Sequence, residues 1–475
     1  MPSYQGRFYP LALLTEFPFS SGTIEAALKF SSPGREYLPF ASDLSFEISA
    51  SVVHESIHFL YYMSHSSCIC AHFIEHQLYG RKLEILKQYG TRHYADDLQL
   101  FYRNSDIKDP ALWAEYQTLD HELAIFDVLT NLGTYPLTKI KSYNRMVHRD
   151  AHKITFGRWQ PASFLPTIAM PTEQELGDAK DLPTLDDLVE SVAMVEEVAF
   201  VKRSANSAAI SRQADKMLEK YLGLSRYSAA YKTVLKHTQF DLTSAVPIAI
   251  MSLALSGRAI TVEEEEVRWS EFSPAARLAT MLRLSDQIPI SWRKIGLIDG
   301  DANEVFANLD EFFSRRARWH SARANTRDAL RNVERIRSAF RGQLNMLPLS
   351  RMAECLRAKL DVPAFPHRVP FVEFRTHSPI YLFTNGLKVT QCTPEENEHV
   401  LSYIRIVLMQ MAVRYLISRN DTNSHDEEFA RRVYREGRRY IVDHVDRSAL
   451  DQALAELPED YDRFVSTIVH ASADE

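Results

Sequence analysis

Leu44 to Met63 is the stretch that most constrains this chain: twenty residues, rich in apolar side chains, without a glycine or a proline. Such a run folds as a helix, and the Ser42-Asp43 pair shortly after Pro39 supplies its start. At its centre stand His54-Glu55-Ser56-Ile57-His58. Residues i and i+4 of an α-helix project from one face, so both imidazoles can reach a single metal ion. Glu55 lies beside His54 on that face, close enough to take a proton from a water held there. Val52, Val53, Ile57, Phe59 and Leu60 make the flanks apolar, as a buried helix presenting two ligands inward requires. The plain alternative is a pair of hydrogen-bonded core histidines.

The segment SASVVHESIHFLYY resembles the active-site helix of the zincin metallopeptidases, over about twenty residues. That resemblance implies a largely helical catalytic domain, a Zn²⁺ ion on His54 and His58, Glu55 as general base, and hydrolysis of a protein or peptide substrate. It does not say which substrate. The metzincin continuation is absent, because Phe59-Leu60-Tyr61 follows His58 with no glycine at the required place. The gluzincin subgroup takes its third ligand from a glutamate on a second helix, and two segments qualify. Glu190 lies in Leu188-Val189-Glu190-Ser191-Val192-Ala193, behind a Pro183-Thr184 helix start with Asp186 and Asp187 in the first turn. Ala193, one turn on, lets two helices approach, and the segment resembles the gluzincin ExxA pattern. Glu122, on a helix expected from Asp109-Pro110 to near Gly133, is the alternative. Asp120 and His121 crowd it with polar groups, so Glu190 is preferred.

Glu197 lies two turns beyond Glu190 and could orient a histidine from behind; a solvated helix edge is the plainer reading for Glu196 and Glu197, and for Glu197 the preferred one. Tyr221, Tyr227 and Tyr231 are candidate oxyanion donors by placement alone, with core or surface tyrosines as the plainer alternative. His72-Phe73-Ile74-Glu75-His76 reads as the inverted motif HxxEH. On one unbroken helix His72 would stand about 21 Å from His58, so the two motifs could not share an ion. Ser66-Ser67 is the alternative helix end. HESIH is favoured because its surroundings are more uniformly apolar.

A chain of 475 residues is long enough for two or three domains. A 45 % hydrophobic and 25 % charged composition with only 15 glycines indicates a soluble, mostly α protein. A small N-terminal β element is expected between Gly6 and Leu14, where zincin sheets, by analogy, offer an edge to peptide. The expected division is a zincin-like catalytic domain over 1–298 and a helical module over 299–475 that chooses or gates substrate. A net charge of −7 makes nucleic acid an unlikely partner. No apolar stretch reaches membrane-spanning length, the N-terminus MPSYQGRFYP carries no signal pattern, and four cysteines suit a reducing compartment. Those features point to the cytoplasm, with Cys68 and Cys70 read as buried free thiols. The proline-bearing stretch 156–184 is expected to be a connector. Phe312 to Gly342, with arginines at 315, 316, 318, 323, 327, 331, 335, 337 and 341, is expected to form an amphipathic helix. Its cationic face is either simply solvated or a docking surface for an acidic protein or RNA. Two readings compete with a protease: a zincin-like scaffold that binds partners, and a metal-dependent hydrolase of a non-peptide substrate.

Overall fold

The computed structural model describes residues 6–9, 13–17, 43–74, 137–138, 140–141, 143–145, 165–204, 208–238, 244–261, 266–296, 301–339, 347–367 and 380–383. Helix dominates them, as the composition requires. The chain divides into two units: Met1–Phe8 with Gly22–Phe73 and Ala124–Pro379, and Tyr9–Ser21 with Ile74–Leu123 and Ile380–Glu475. In the second unit β2 (Leu14–Phe17) pairs in parallel with β5 (Ile380–Phe383), Leu14 opposite Ile380 and Phe17 opposite Phe383. The strand β1 (Arg7–Tyr9) falls inside the stretch where a strand was expected.

The first unit is built on α1 (Asp43–Ser64), which carries HESIH. Its regular helix stops at His65, one residue before the expected Ser66-Ser67 break, and helix resumes over 66–74. The bonds His65 N–H to Tyr61 O and Ile69 N–H to His65 O carry the i→i−4 pattern across the interruption. The expected 156–184 connector holds more structure than its prolines suggest. Thr167–Ile168 form β3, paired in parallel with β4 (Glu266–Val267), and Glu173–Ala179 form α2. A reciprocal Thr172/Glu175 capping box starts α2, which is why helix forms there despite the prolines. Thr184 and Asp187 start α3 (Leu185–Ser204) in the same way: each backbone N–H donates to the other's side chain, at 2.9 and 3.1 Å.

Helix α1 packs along α3, which also packs on α4 (Ala208–Gly223) and α5 (Ser225–Thr238). All ten residues of α6 (Val246–Leu255) are buried, the fate of a helix apolar on every side. After α7 (Trp269–Phe272), α8 (Pro274–Leu284) and α9 (Ile290–Arg293) come α10 (Ala302–Ala317), α11 (Ala322–Ala339) and α12 (Leu347–Asp361). Gly257 is required where it stands, since a Cβ there would come within 2.8 Å of Glu271 O and 2.9 Å of Phe272 O. No described helix is long and apolar enough to cross a membrane.

The expected Arg-rich helix is two helices. Arg318 ends α10 in the left-handed conformation (φ 55°), and the carboxylate of Asp310 accepts the Ala322 and Arg323 N–H groups that open α11. Helices α10 to α12, assigned from sequence to a C-terminal module, lie in the same unit as α1. The change in charge at Asp301 marks a solvent face, because Val305, Phe306, Leu309, Phe313, Ala329 and Val333 are buried beneath it.

A buried polar chain runs behind α1. Ser64 Oγ donates to Leu60 O at 2.6 Å and therefore accepts from His65 Nδ1 at 2.9 Å. His65 Nε2 is left to accept from Ser252 Oγ at 2.8 Å. The His65 ring stacks on Tyr61, centroids 4.0 Å apart. Tyr61 donates in turn to His367 Nε2 at 2.6 Å, while His367 Nδ1 donates to Glu196. Burial first, then the Lys359 charge, holds His65 well below the ordinary histidine pKa. The unfolded chain therefore binds a proton there that the folded chain refuses. Stability from this group is complete above about pH 6.5 and is lost as pH falls below it, by at most about 1.4 kcal/mol per pH unit. Urea denaturation at pH 7 and pH 5 should show a smaller acid loss in His65→Gln than in the parent; equal losses would place the acid sensitivity elsewhere.

Candidate metal centre

Helix α1 offers a face on which His54, His58 and Tyr62 recur at every fourth residue, and α3 offers Asp186, Glu190 and Glu197. The pairs His54–Glu197, His58–Glu190 and Tyr62–Asp186 rise in number along α1 and fall along α3, so the helices run antiparallel. Ala193, fully buried, permits the close approach that the sequence pattern implied. Near the His54 end, Ala50, Val198, Val201 and Ala214 form one buried cluster flanked by Met217, Leu218 and Tyr221, fixing α1, α3 and α4 together.

Three donor atoms converge between these helices. His54 Nε2 and His58 Nε2 are 3.1 Å apart, and each stands 3.5 Å from Glu190 Oε2. Ligands at about 2.0–2.1 Å from a tetrahedral ion lie about 3.3–3.4 Å from one another, so this triangle has the edges of one face of such a site. Two imidazole nitrogens and a carboxylate oxygen are three of the four ligands such an ion takes, and the group of described residues holds no fourth. The residues fit the ion, and His54, His58 and Glu190 form a group that can hold a metal. Among the described residues it is the only such group of three or more.

A second layer sets the orientation. His54 Nδ1 donates to Glu197 Oε2 at 3.1 Å, which fixes the tautomer and leaves the Nε2 lone pair facing His58 and Glu190. Tyr221 Oη donates to both Glu197 oxygens, at 3.0 and 2.9 Å. Burial, then the Glu197 charge, push the Tyr221 hydroxyl up, so it remains a donor. Glu196 and Glu197, expected at a solvated edge, are 2 % and 4 % exposed. The physical reason is that α3 buries every residue from Ser191 to Ala199, leaving these glutamates no face open to water. The signal was available in Val195-Glu196-Glu197-Val198, two charges inside an apolar run. His367, which holds Glu196, carried no such signal.

The electrostatics are those of a site built around positive charge. Burial disfavours charging His54, yet hydrogen bonds to Glu190 and Glu197, with the charges of Glu197 and Glu55, raise its pKa well above the ordinary value. A cation and that proton compete for the same lone pair. Burial would raise Glu190, but His58 and His54 outweigh it and hold the carboxyl far below its usual range. Glu55, 7 % exposed, is pushed up chiefly by burial; the two imidazoles offset part of this, and Glu190 and Glu197 add to it.

The structure separates the three candidate tyrosines. Tyr221 is engaged with Glu197. Tyr231 is 1 % exposed, with its backbone N–H donating to Ser191 Oγ, and belongs to the core. Tyr227 is half-buried, with its ring centroid 6.0 Å from that of His54 and 5.4 Å from that of Tyr221. The start of β1 lies along the same helix: Gly6 N–H donates to Ser51 Oγ at 3.2 Å, and Phe8 packs against Phe59 and Tyr62. Cys68 and Cys70 are buried free thiols raised by burial. Of the inverted motif, His72 is buried, while Glu75 and His76 lie outside the described residues, as does Glu122. Compared with known proteins, the chain matches no family model, no curated protein and no solved structure.

Proposed function

We propose that this chain is a zinc-dependent peptidase of gluzincin type, with His54, His58 and Glu190 holding the metal and Glu55 acting as general base. The observation that carries the reading is the donor triangle with edges of 3.1, 3.5 and 3.5 Å, placed one residue from a buried glutamate. A zinc ion, when bound, supplies a Lewis acid and lowers the pKa of water at the fourth position. The chain's own residues do the rest. Glu197 keeps His54 in the ligating tautomer, and Tyr221 holds Glu197. Glu55, raised by burial, accepts the proton of the attacking water and returns it to the leaving amine. Tyr227, whose ring lies 6.0 Å from that of His54, is the candidate donor to the oxygen that gains charge. The substrate class is a protein or peptide, and this chemistry suits the cytoplasmic setting expected from the sequence.

Elemental analysis of purified protein that has not met chelator should find about one zinc per chain, lost in His54→Ala and His58→Ala variants shown to be folded. Glu55→Gln should keep the metal while peptide hydrolysis falls by roughly 10²–10⁴-fold. Metal-free parent protein would sink the reading, and full hydrolysis by Glu55→Gln would remove the general base.

Three further variants probe the supporting residues. Glu197→Gln should weaken metal affinity about 10–100-fold, with Tyr221→Phe changing it in the same direction by less, as competition with a chromogenic chelator would show. Tyr227→Phe should lower kcat by roughly 10²-fold or more at unchanged metal content; unchanged kcat would return Tyr227 to a packing role.

A further inference from the structure

We propose that Arg323, Arg327, Arg331 and Arg335 of α11 form a docking stripe for an acidic helical segment of a partner protein. The exposed residues described on α11 are these four arginines and Ser338. They recur at every fourth position, so their side chains lie along one line with about 6 Å between neighbours. The opposite face locks the helix in that rotation. Asn325 Nδ2 donates to Ser256 O at 2.9 Å, Asn332 Nδ2 donates to Thr261 O at 2.6 Å, and Ala329, Val333 and Ile336 are buried.

Three successive like-charged i,i+4 steps work against the helix that carries them. Among the described residues little relieves the first two steps. Among the described residues Arg323 and Arg327 have no acidic partner within 4.0 Å, and Arg331 has Asp328 only at 3.9 Å. The other acidic residue of α11, Glu334, is paired with Arg357 of α12. A row of planar guanidinium groups suits bidentate pairing with carboxylates, and a helix bearing Glu or Asp at every fourth residue repeats at the same 6 Å interval. Nucleic acid fits less well. The chain has a net charge of −7, and α11 offers no aromatic side chain on which a base could stack. The stripe uses none of the metal-site residues, so this inference is independent of the peptidase reading.

The test uses the full chain and fluorescence anisotropy with a labelled Ala-rich helical peptide carrying four glutamates at every fourth position. The comparison ligands are a peptide of the same composition with its glutamates spread over all faces and a single-stranded RNA. The patterned peptide should bind at low salt and be released as salt rises from about 50 to 500 mM. The quadruple Arg→Gln variant should lose roughly tenfold or more in affinity. Its helical circular dichroism should be unchanged or increased, because the like-charge repulsion is gone. His54→Ala should bind as the parent does, which separates this outcome from any failure of the metal site. Equal binding of the spread peptide, preference for RNA, undiminished binding by the quadruple variant, or no binding of the patterned peptide would each overturn the proposal.

Discussion

The hydrogen bond from His54 Nδ1 to Glu197 is the contact on which the rest of the centre depends. It joins α1 to α3 at the level of the first histidine and fixes which nitrogen of that ring carries the proton. It thereby decides that the lone pair faces the space shared with His58 and Glu190. An imidazole flipped by half a turn would present an N–H to that space and could not ligate. The bond is made in a buried environment, where an unmet carboxylate would be costly, and Tyr221 shares the task of satisfying it. The metal-binding potential of the site is thus written as much into the far side of His54 as into the two motif histidines.

Much of this arrangement was legible in the sequence. The i,i+4 spacing of His54 and His58 within an unbroken apolar helix determines that both rings share a face. The Pro183-Thr184 start and the apolar setting of Glu190 were enough to select the helix that meets them. The roles of Glu196 and Glu197 were not legible, because a pair of adjacent charges on a helix is usually solvated and only packing on both sides buries them. The corner at Arg318 was missed for a different reason. Arginine gives no signal of the left-handed conformation, and the cap of the following helix comes from Asp310, in the middle of the preceding helix. The polar chain through Tyr61, His65 and His367 joins residues as far apart as Tyr61 and His367, a distance no local pattern can bridge.

Neighbouring glutamates on α3 serve different ends. Glu197 faces the donor triangle through His54, while Glu196, about 100° further round the helix, receives His367. Together they fix the rotation of α3 about its own axis, since a helix held by two side chains pointing in different directions cannot turn to favour one. The ring of Phe306 on α10 lies 5.2 Å from His367, so the same histidine also connects the site-bearing helices to the helices that follow.

The antiparallel pairing of α1 and α3 has a bearing on how kin of this chain can be recognised. One residue inserted between Glu190 and Glu196 would swing both carboxylates of the pair through a quarter-turn or more and strand two buried histidines. Lengths within the two helices are therefore rigid, a constraint that helix register does not extend to the chain between them. Distant kin would then share a discontinuous fingerprint, His-Glu-x-x-His followed by Tyr after three residues, and elsewhere Asp-x-x-x-Glu followed after five residues by Glu-Glu. A search keyed to those spacings, indifferent to everything between them, would detect descent that whole-chain similarity has lost.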